Sequence, residues 1–268
     1  MPLVFAAIMP HGDELLPFTG ADAGLHVLRR SMTSIGSALR RAEPDLLVLA
    51  SPHQLRIPGH LAVVDTVFAE GRVASGDGLY ERRLPLDRRF NRVLAEAASA
   101  AGLPPAAVGF QSSDGPLSTL PLDFGSLVPL FYLVGQGETP MLSLIGPPRD
   151  VGLVPLARLG REIARRCGDR RVAFVASADL AHTHRPDGPY GCSPAAAVYD
   201  RLVQAAVLAG ELSRLQSLDS ALLDAAKPDA PWQLAILAGA LSGSVRVLDF
   251  AYARPTYFGM LAARFALR

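Results

Sequence analysis

Short apolar runs recur along the chain, with amphipathic stretches between them. Each run is apolar on both faces instead of alternating with polar residues, as expected for strands of a parallel sheet that helices cover on both sides. Strand, crossover helix and strand, repeated in this way, build an α/β fold. The pattern predicts a mostly parallel central sheet with helices on both faces, with strands at Leu3–Met9, Leu46–Ala50, Met141–Ile145 and Val172–Ala176.

Apolar residues at helical spacing predict the elements between and after these strands. Leu25–Arg41 has apolar residues every three or four positions and arginines on the other face, and Pro44 ends the pattern. A second helix, Leu156–Cys167, is followed by Gly168, which suits a C-terminal cap. The same periodicity predicts helices at Ala195–Ala209, Leu218–Ala226 and Pro231–Leu241, followed by an extended segment at Val245–Ala253.

Residues 54–90 are predicted to form a peripheral excursion from this regular pattern. Ala62–Phe68 is typical of an extended segment, and Gly71, Gly76 and Gly78 are typical of turns. The chain contains no internal repeat, low-complexity tract or linker that would divide it. We therefore expect one α/β domain over residues 1–268, a length that suits one large domain better than two small ones.

Composition narrows the classes of function. Half of the residues are hydrophobic and 19% are charged, which is typical of a well-packed globular protein. The 26 Lys and Arg residues almost balance the 25 Asp and Glu residues, so the chain lacks the basic field that binds nucleic acid or an anionic membrane surface. Two cysteines, Cys167 and Cys192, are too few for a disulfide framework. Without a basic leader or a long apolar run, the chain is expected to be cytoplasmic.

Histidines follow three of the predicted strands. His11 comes after the first strand, His53 after the second, and His182 and His184 lie in the segment after Val172–Ala176. In open α/β sheets, the carboxyl ends of the strands form the crevice where ligands bind. We therefore expect these side chains, distant in sequence, to meet at one edge of the sheet.

This set of histidines is suited to a metal ion. Imidazole suits iron(II) and zinc, and two histidines with one carboxylate leave coordination positions open for substrate or dioxygen. The residues alone leave the carboxylate undecided. Asp13 and Glu14 are close to His11, where they also fit the first turn of a helix. Asp229 precedes an apolar helix, where it also fits the helix N-cap.

A series of short segments also runs through the chain in a fixed order. These are Pro10-His11-Gly12-Asp13-Glu14-Leu15, Ser51-Pro52-His53, Pro121-Leu122-Asp123-Phe124-Gly125, Ser177-Ala178-Asp179-Leu180-Ala181-His182, Trp232-Gln233-Leu234 and Tyr257-Phe258-Gly259. Together they resemble the class III extradiol ring-cleavage dioxygenases, a LigB-like superfamily that also includes Memo-like proteins. The resemblance covers nearly the whole chain and rests on the ordered set more than on any one motif.

The resemblance implies a role for each matching residue. In that family, two histidines and a glutamate hold a non-haem iron(II), and a further histidine acts as acid and base on a catechol hydroxyl. His11 and His53 match the two histidine ligands, and His182 matches the acid/base residue. The third ligand falls at Asp229, an aspartate where the dioxygenases have a glutamate. The implied cofactor is Fe²⁺, with Zn²⁺ or Mn²⁺ as alternatives.

Two further residues have expected roles beside His182. Asp179 is expected to orient a ligand or base imidazole through its other ring nitrogen, the usual role of a carboxylate behind a metal-bound histidine. His184 lies two residues further along the same loop than His182 and is the alternative base.

The activity that the resemblance implies is extradiol cleavage of a small catechol-like or 2-aminophenol-like aromatic substrate, with O2 as co-substrate. Phe124 stands where many of these dioxygenases have a histidine, and phenylalanine can neither donate nor accept a proton. Two alternatives therefore stand beside ring cleavage: a Memo-like metal-binding protein without dioxygenase turnover, and a zinc-dependent hydrolase that uses the same pocket. The identity of the aromatic substrate and the formation of a homo-oligomer stay open.

Overall fold

The computed structural model describes residues 3–18 and 23–267, and strands and helices alternate along much of this length. The strands are β1 (Leu3–Met9), β2 (Leu46–Ala50), β3 (Leu61–Val64), β4 (Phe68–Ser75), β5 (Gly78–Pro85), β6 (Pro105–Val108), β7 (Thr119–Pro121), β8 (Met141–Ile145), β9 (Val172–Ser177), β10 (Arg246–Ala253) and β11 (Met260–Ala266). The helices are α1 (Ala23–Ala42), α2 (Phe90–Ala101), α3 (Phe124–Leu133), α4 (Leu153–Arg166), α5 (Pro194–Leu208), α6 (Ser220–Ala226) and α7 (Pro231–Leu241).

The central sheet has the strand order β10-β11-β1-β9-β2-β8. β1, β9, β2 and β8 are parallel, whereas β11 pairs antiparallel with β1 and β10 pairs antiparallel with β11. The predicted α/β class with a mostly parallel sheet is confirmed. The four strands predicted from apolar runs are the four parallel strands, and only β9 differs, by one additional residue at its end.

Helices cover both faces of the sheet, and successive residues of each strand point to opposite faces. Phe5, Ala7 and Met9 of β1 pack in one apolar cluster with α1 and α3. Ala6 and Ile8 pack on the other face, in a cluster with α2, α4, α5 and α7. Burial of both faces explains why the parallel strands are apolar at nearly every position.

Two glycines bring α4 and α7 into close contact. A Cβ on Gly160 of α4 would lie 1.8 Å from the carbonyl oxygen of Ile236, and a Cβ on Gly239 of α7 would lie 1.8 Å from that of Ala157. Neither position therefore has room for a side chain. This contact fixes α7, and with it the segment just before the helix, against α4.

The peripheral part of the chain forms two small sheets, β3-β6 and β5-β4-β7. Gly76, with a φ of 57°, makes the turn of the β4–β5 hairpin, and Gly78 begins β5. The turn predicted at Gly71 is wrong, because this residue lies within β4. A Cβ there would lie 2.6 Å from the carbonyl oxygen of Leu122, so glycine allows the strand to approach that segment.

Other boundaries differ from the sequence pattern in small ways. The extended segment predicted at Ala62–Phe68 divides into the end of β3 and the first residue of β4. α6 begins two residues later than predicted, and α4 begins three residues earlier. α2, α3 and β11 were not predicted.

Candidate metal centre

Loops after three adjacent strands meet at one edge of the sheet. β1, β9 and β2 lie side by side and parallel, so their carboxyl ends share that edge. His11 follows β1, and His53 follows β2. Their Nε2 atoms lie 3.2 Å apart, although the residues are 42 positions apart in sequence. The convergence predicted from the strand ends is confirmed for these two histidines.

Asp229 brings a carboxylate to the same point from the segment before α7. Its Oδ2 lies 3.1 Å from Nε2 of His11 and 3.5 Å from Nε2 of His53. Its Oδ1 accepts a hydrogen bond from the backbone N–H of Asp179 at 2.9 Å. The alternative role as the N-cap of α7 is wrong, because Ala230 occupies that position and no side chain caps the helix there.

The three side chains form a donor set that fits one divalent metal ion. His11, His53 and Asp229 each offer one ligand atom, and these atoms lie within 4.8 Å of one another. Two ligand atoms at about 2.0–2.2 Å from an ion lie roughly 3.0–3.5 Å apart when the ligand–ion–ligand angle is a right angle or the tetrahedral angle. The contacts of 3.1–3.5 Å match that spacing. Two imidazoles and one carboxylate leave coordination positions open, the pattern of non-haem iron(II) oxygenases.

A buried hydrogen-bond chain sets the tautomer of His11. The Ser177 hydroxyl donates its only proton to the carbonyl oxygen of Gly125, so toward His11 it acts as an acceptor. Nδ1 of His11 must therefore carry a hydrogen and donate it to Ser177 Oγ, at 2.8 Å. In the neutral imidazole, Nε2 then presents its lone pair to His53 and Asp229, as a metal ligand requires.

The surroundings of His11 favour positive charge. Burial by itself lowers the pKa of His11, but the carboxylates of Asp179 and Asp229 outweigh burial and raise that pKa to about 9. Burial raises the pKa of Asp179 to about 7. Burial by itself would raise the pKa of Asp229. The charge of His11 and the hydrogen bonds with His11 and His53 outweigh burial and hold that pKa well below its usual value. A divalent cation would satisfy the same negative field without a proton on Nε2.

Asp123 supports the loop that carries His53. Its carboxylate accepts hydrogen bonds from Ser51 Oγ and Gln54 Nε2, both at 2.7 Å, and it is also the side-chain N-cap of α3. A Cβ on Gly125 would lie 3.0 Å from Cδ2 of His53, so glycine leaves room for the imidazole. The sequence does not reveal this role, because Ser51 and Gln54 lie about 70 positions away from Asp123.

His182 lies in the loop after β9, beside the metal ligands. Its Nδ1 donates to the carbonyl oxygen of Leu180 at 2.9 Å, which leaves Nε2 with a lone pair. The ring stacks on Phe258, with centroids 5.1 Å apart and planes 17° apart. Burial lowers the pKa of His182, so the neutral imidazole is the dominant form at neutral pH. The side chain is therefore held in the protonation state of a base.

Phe124 places an apolar ring on one of the ligands. Its ring centroid lies 4.2 Å from that of His53 and 5.8 Å from that of His11. The side chain is still 44% exposed, so it forms part of the wall between the histidines and solvent. The ring supplies no polar atom to a bound diol or to dioxygen.

The other two predicted residues do not occupy their expected positions. Asp179 lies on the Nε2 side of His11, with Oδ2 3.4 Å from that atom, whereas Ser177 occupies the Nδ1 side. Orientation of a ligand through its other nitrogen is therefore not the role of Asp179. His184 hydrogen-bonds to Asp200 through Nε2 and to Arg254 through Nδ1. The alternative base is thus wrong, because both of its ring nitrogens are engaged away from the metal ligands.

A cavity of about 390 Å³ opens beside the candidate centre. His53, His182 and Asp229 line it together with Trp232 and Arg149. Sequence reasoning missed Arg149, although it follows β8, which is also one of the parallel strands, and the rule that found the histidines would have included it. The remaining lining residues are Tyr190, Ser220, Leu223, Asp224, Lys227 and Pro228.

The other candidate residues lie outside the group of His11, His53 and Asp229. Asp13 and Glu14 lie in a short helical turn after His11 and are absent from the metal-binding group of the described residues. Cys167 is buried and Cys192 is exposed, and both are free thiols. None of the helices in residues 3–18 and 23–267 combines the length and apolar character needed to cross a membrane.

Comparisons with known proteins place the chain in a family. A family model described as the catalytic LigB subunit of aromatic ring-opening dioxygenase matches residues 6–263. Protein CA_C1420 of Clostridium acetobutylicum is 20% identical over 245 residues, which are 88% of this chain and 51% of that protein. The chain thus spans about half the length of this curated relative.

A solved structure shares the fold. Uncharacterized protein JW3007 from Escherichia coli K12 matches with a TM-score of 0.65 and 17% identity, over 98% of this chain and 99% of that chain. The family model covers nearly all of the sequence, including all three candidate metal ligands and His182. The chain therefore belongs to the family of the catalytic LigB subunit of aromatic ring-opening dioxygenases.

Proposed function

We propose that the protein is a non-haem iron(II)-dependent extradiol dioxygenase that opens a catechol-like or 2-aminophenol-like ring with O2 as co-substrate. One observation carries the proposal: ligand atoms of His11, His53 and Asp229 converge next to a cavity that His182 also lines. The donor set is the one that non-haem iron(II) oxygenases use. Family membership supports the same chemistry.

The metal ligands and the base have separate roles in such a reaction. Iron(II) held by His11, His53 and Asp229 would supply a Lewis acid that lowers the pKa of a bound hydroxyl, and a redox centre for O2. His182 accepts the hydroxyl proton, because its Nε2 carries a lone pair while Nδ1–H is engaged with Leu180. Ser177 keeps the lone pair of His11 available for the ion.

The walls of the cavity suit an aromatic ring. A volume of about 390 Å³ lies within the range of small-molecule sites, and Trp232, Tyr190 and Leu223 give apolar surface for a ring to contact. Phe124 shields His53 on another side. Apolar surroundings exclude water, which strengthens the electrostatic interactions around the bound ion.

Oxygen uptake tests the proposal. Metal-free protein would be loaded anaerobically with iron(II) and then mixed with air-saturated buffer and a panel of catechols and aminophenols. We expect oxygen consumption and a yellow ring-opened product. His182→Gln should lower kcat by about 100-fold or more, because it removes the proton acceptor, and should retain the bound iron. His60→Gln, at an exposed histidine in another loop, is the matched control and should leave kcat unchanged.

Two outcomes would contradict ring cleavage. Iron-loaded protein that consumes no oxygen with any member of the panel would match a metal-binding protein of Memo-like type. Protein purified with stoichiometric zinc, and active on esters or amides, would match a hydrolase whose nucleophile is zinc-bound water.

A further inference from the structure

His184 belongs to a buried hydrogen-bond network behind the loop that carries His182. Its Nδ1 accepts from the guanidinium of Arg254 at 2.9 Å, because an arginine side chain can only donate. Nε2 therefore carries the ring hydrogen and donates it to Oδ2 of Asp200 at 2.8 Å. The side chains of His184 and Asp200 are each 2% exposed, so water does not compete for this contact.

Asp200 joins the two ends of the segment that contains the base. Its Oδ1 accepts from the backbone N–H of Ala181 at 3.0 Å, and its Oδ2 accepts from His184. These two donors stand on either side of His182 in the chain. The Tyr252 hydroxyl donates to the same Oδ2 at 2.7 Å and holds the carboxylate from β10. One carboxylate of α5 thus connects the loop of the base to a helix and to the sheet.

Gly259 leaves the space that this carboxylate occupies. A Cβ on Gly259 would lie 2.1 Å from Oδ2 of Asp200, so a larger residue would displace the carboxylate. The backbone of Gly259 also donates to the carbonyl oxygen of Ala181 at 3.1 Å and accepts from the N–H of Leu180 at 2.7 Å. The carbonyl oxygen of Leu180 is the acceptor for Nδ1–H of His182. The backbone that Asp200 holds therefore also sets the tautomer of the base.

We propose that Asp200 is a positioning residue for His182: through Ala181 and His184 it holds the loop in the arrangement that keeps the lone pair of the base on Nε2. Asp200 is absent from the group of metal ligands and from the residues that line the cavity, so it acts through His182. The effect on turnover rests on the proposed ring cleavage. The effect on the ring of His182 does not, because it is measurable without turnover.

Asp200→Asn tests the bridge with a side chain of the same shape. Whichever way the amide turns, its NH2 group faces a donor, either the N–H of Ala181 or Nε2–H of His184. His184→Phe removes one end of the bridge. His184→Gln keeps an N–H near the position of Nε2 and should therefore restore much of its effect.

Asp87→Asn is the matched control. Asp87 is also buried, with one carboxylate oxygen on the backbone N–H of Phe90 and the other on the guanidinium of Arg170. Its backbone N–H donates to Leu142, near the start of β8, and it does not line the cavity of His182. The control thus has the same kind of buried carboxylate without a connection to the base.

Nuclear magnetic resonance of zinc-loaded protein with isotope-labelled histidine measures the ring of His182 directly. The shifts of the two ring nitrogens distinguish the neutral tautomers, and the signals that disappear in His182→Gln are those of His182. At neutral pH we expect one tautomer, with the hydrogen on Nδ1, in the wild type, Asp87→Asn and His184→Gln. We expect a mixture of tautomers in Asp200→Asn and His184→Phe.

Kinetics of the iron-loaded protein provide the second readout. Asp200→Asn should lower kcat by about 10–100-fold, because a displacement of about 1 Å between reacting groups has an effect of that size. Its KM and iron content should stay within about twofold of the wild type, since the substitution leaves binding groups in place. In a His182→Gln background, Asp200→Asn should cause no further loss, because no base is left to position.

The outcomes separate the positioning role from the reaction. A single tautomer of His182 in Asp200→Asn overturns the role, and so does an equal change in Asp87→Asn. Additive losses of kcat in the double variant overturn it as well, because they place the effect away from His182. A mixture of tautomers in Asp200→Asn, without oxygen uptake by iron-loaded wild type, supports the role and contradicts ring cleavage. Oxygen uptake together with an unchanged tautomer supports ring cleavage and overturns the role.

Discussion

Replacement of Ser177 by alanine tests how far metal binding depends on a residue that does not itself contact the ion. The Ser177 hydroxyl accepts from Nδ1–H of His11 at 2.8 Å and donates to the carbonyl oxygen of Gly125. Ser177 has no exposed surface, and His11 is 1% exposed. Alanine therefore leaves a donor and an acceptor buried and unpaired.

The structure sets the expected magnitude. An unpaired buried donor costs about 1–3 kcal/mol. In the variant, the imidazole of His11 avoids that cost by losing its Nδ1 proton and keeping its Nε2 proton, which Oδ2 of Asp229 accepts at 3.1 Å. In that tautomer, Nε2 has no lone pair, so metal binding has to return the proton to the unpaired Nδ1. Because 1.4 kcal/mol is a factor of ten, we expect Ser177→Ala to bind zinc or iron(II) about 10–100-fold more weakly.

Calorimetric titration of metal-free protein with zinc, and anaerobically with iron(II), measures the effect. Ser143→Ala is the matched control, since Ser143 is also buried in a parallel strand, β8, but lies outside the hydrogen-bond chain of His11. Its metal affinity should stay within about twofold of the wild type. Undiminished affinity in Ser177→Ala, or equal losses in both variants, would refute the tautomer argument.

Three further predictions concern other parts of the protein. Gly160→Ala should lower the free energy of unfolding by about 1–3 kcal/mol, since its Cβ would meet the carbonyl oxygen of Ile236 at 1.8 Å; an unchanged denaturant midpoint would contradict the close contact. Removal of the metal by a chelator should lower the free energy of unfolding by about 2.7 kcal/mol, compared with protein in a metal concentration one hundred times Kd. Equal melting temperatures with and without chelator would contradict specific binding. One thiol per chain should react with a disulfide reagent at about pH 8, because Cys192 is exposed, whereas burial raises the pKa of Cys167 to about 11 and keeps it a protonated thiol. Two equally fast thiols would contradict that last prediction.

Much of the fold was predictable because the parallel strands carry their own signal. A strand buried on both faces is apolar at nearly every position, and β1, β2 and β8 have the predicted boundaries. α3 was missed because Pro129 interrupts its pattern and its residues are apolar on almost every side. β11 was missed because Met260–Ala266 contains three alanines and Arg264, residues that are not typical of a strand.

The candidate site was predictable in part. Position after a strand identified His11 and His53, and these two come together as expected. The residues alone left Asp229 undecided, since a residue before an apolar helix is typical of a cap as much as of a ligand, and only the family resemblance indicated a ligand. Ser177 was also beyond sequence reasoning, because its effect on His11 depends on a carbonyl oxygen 52 residues away, that of Gly125.

The metal content of iron-loaded protein tests the central claim most directly. Metal-free protein would be incubated anaerobically with iron(II), passed through a desalting column and analysed by mass spectrometry for iron per chain. We predict about one iron per chain for the wild type and for His60→Ala, and a large loss for His53→Ala and Asp229→Ala. His53 and His60 are both exposed, so general unfolding does not explain a difference between them. Equal iron content in all four proteins, or none in the wild type, would contradict the account.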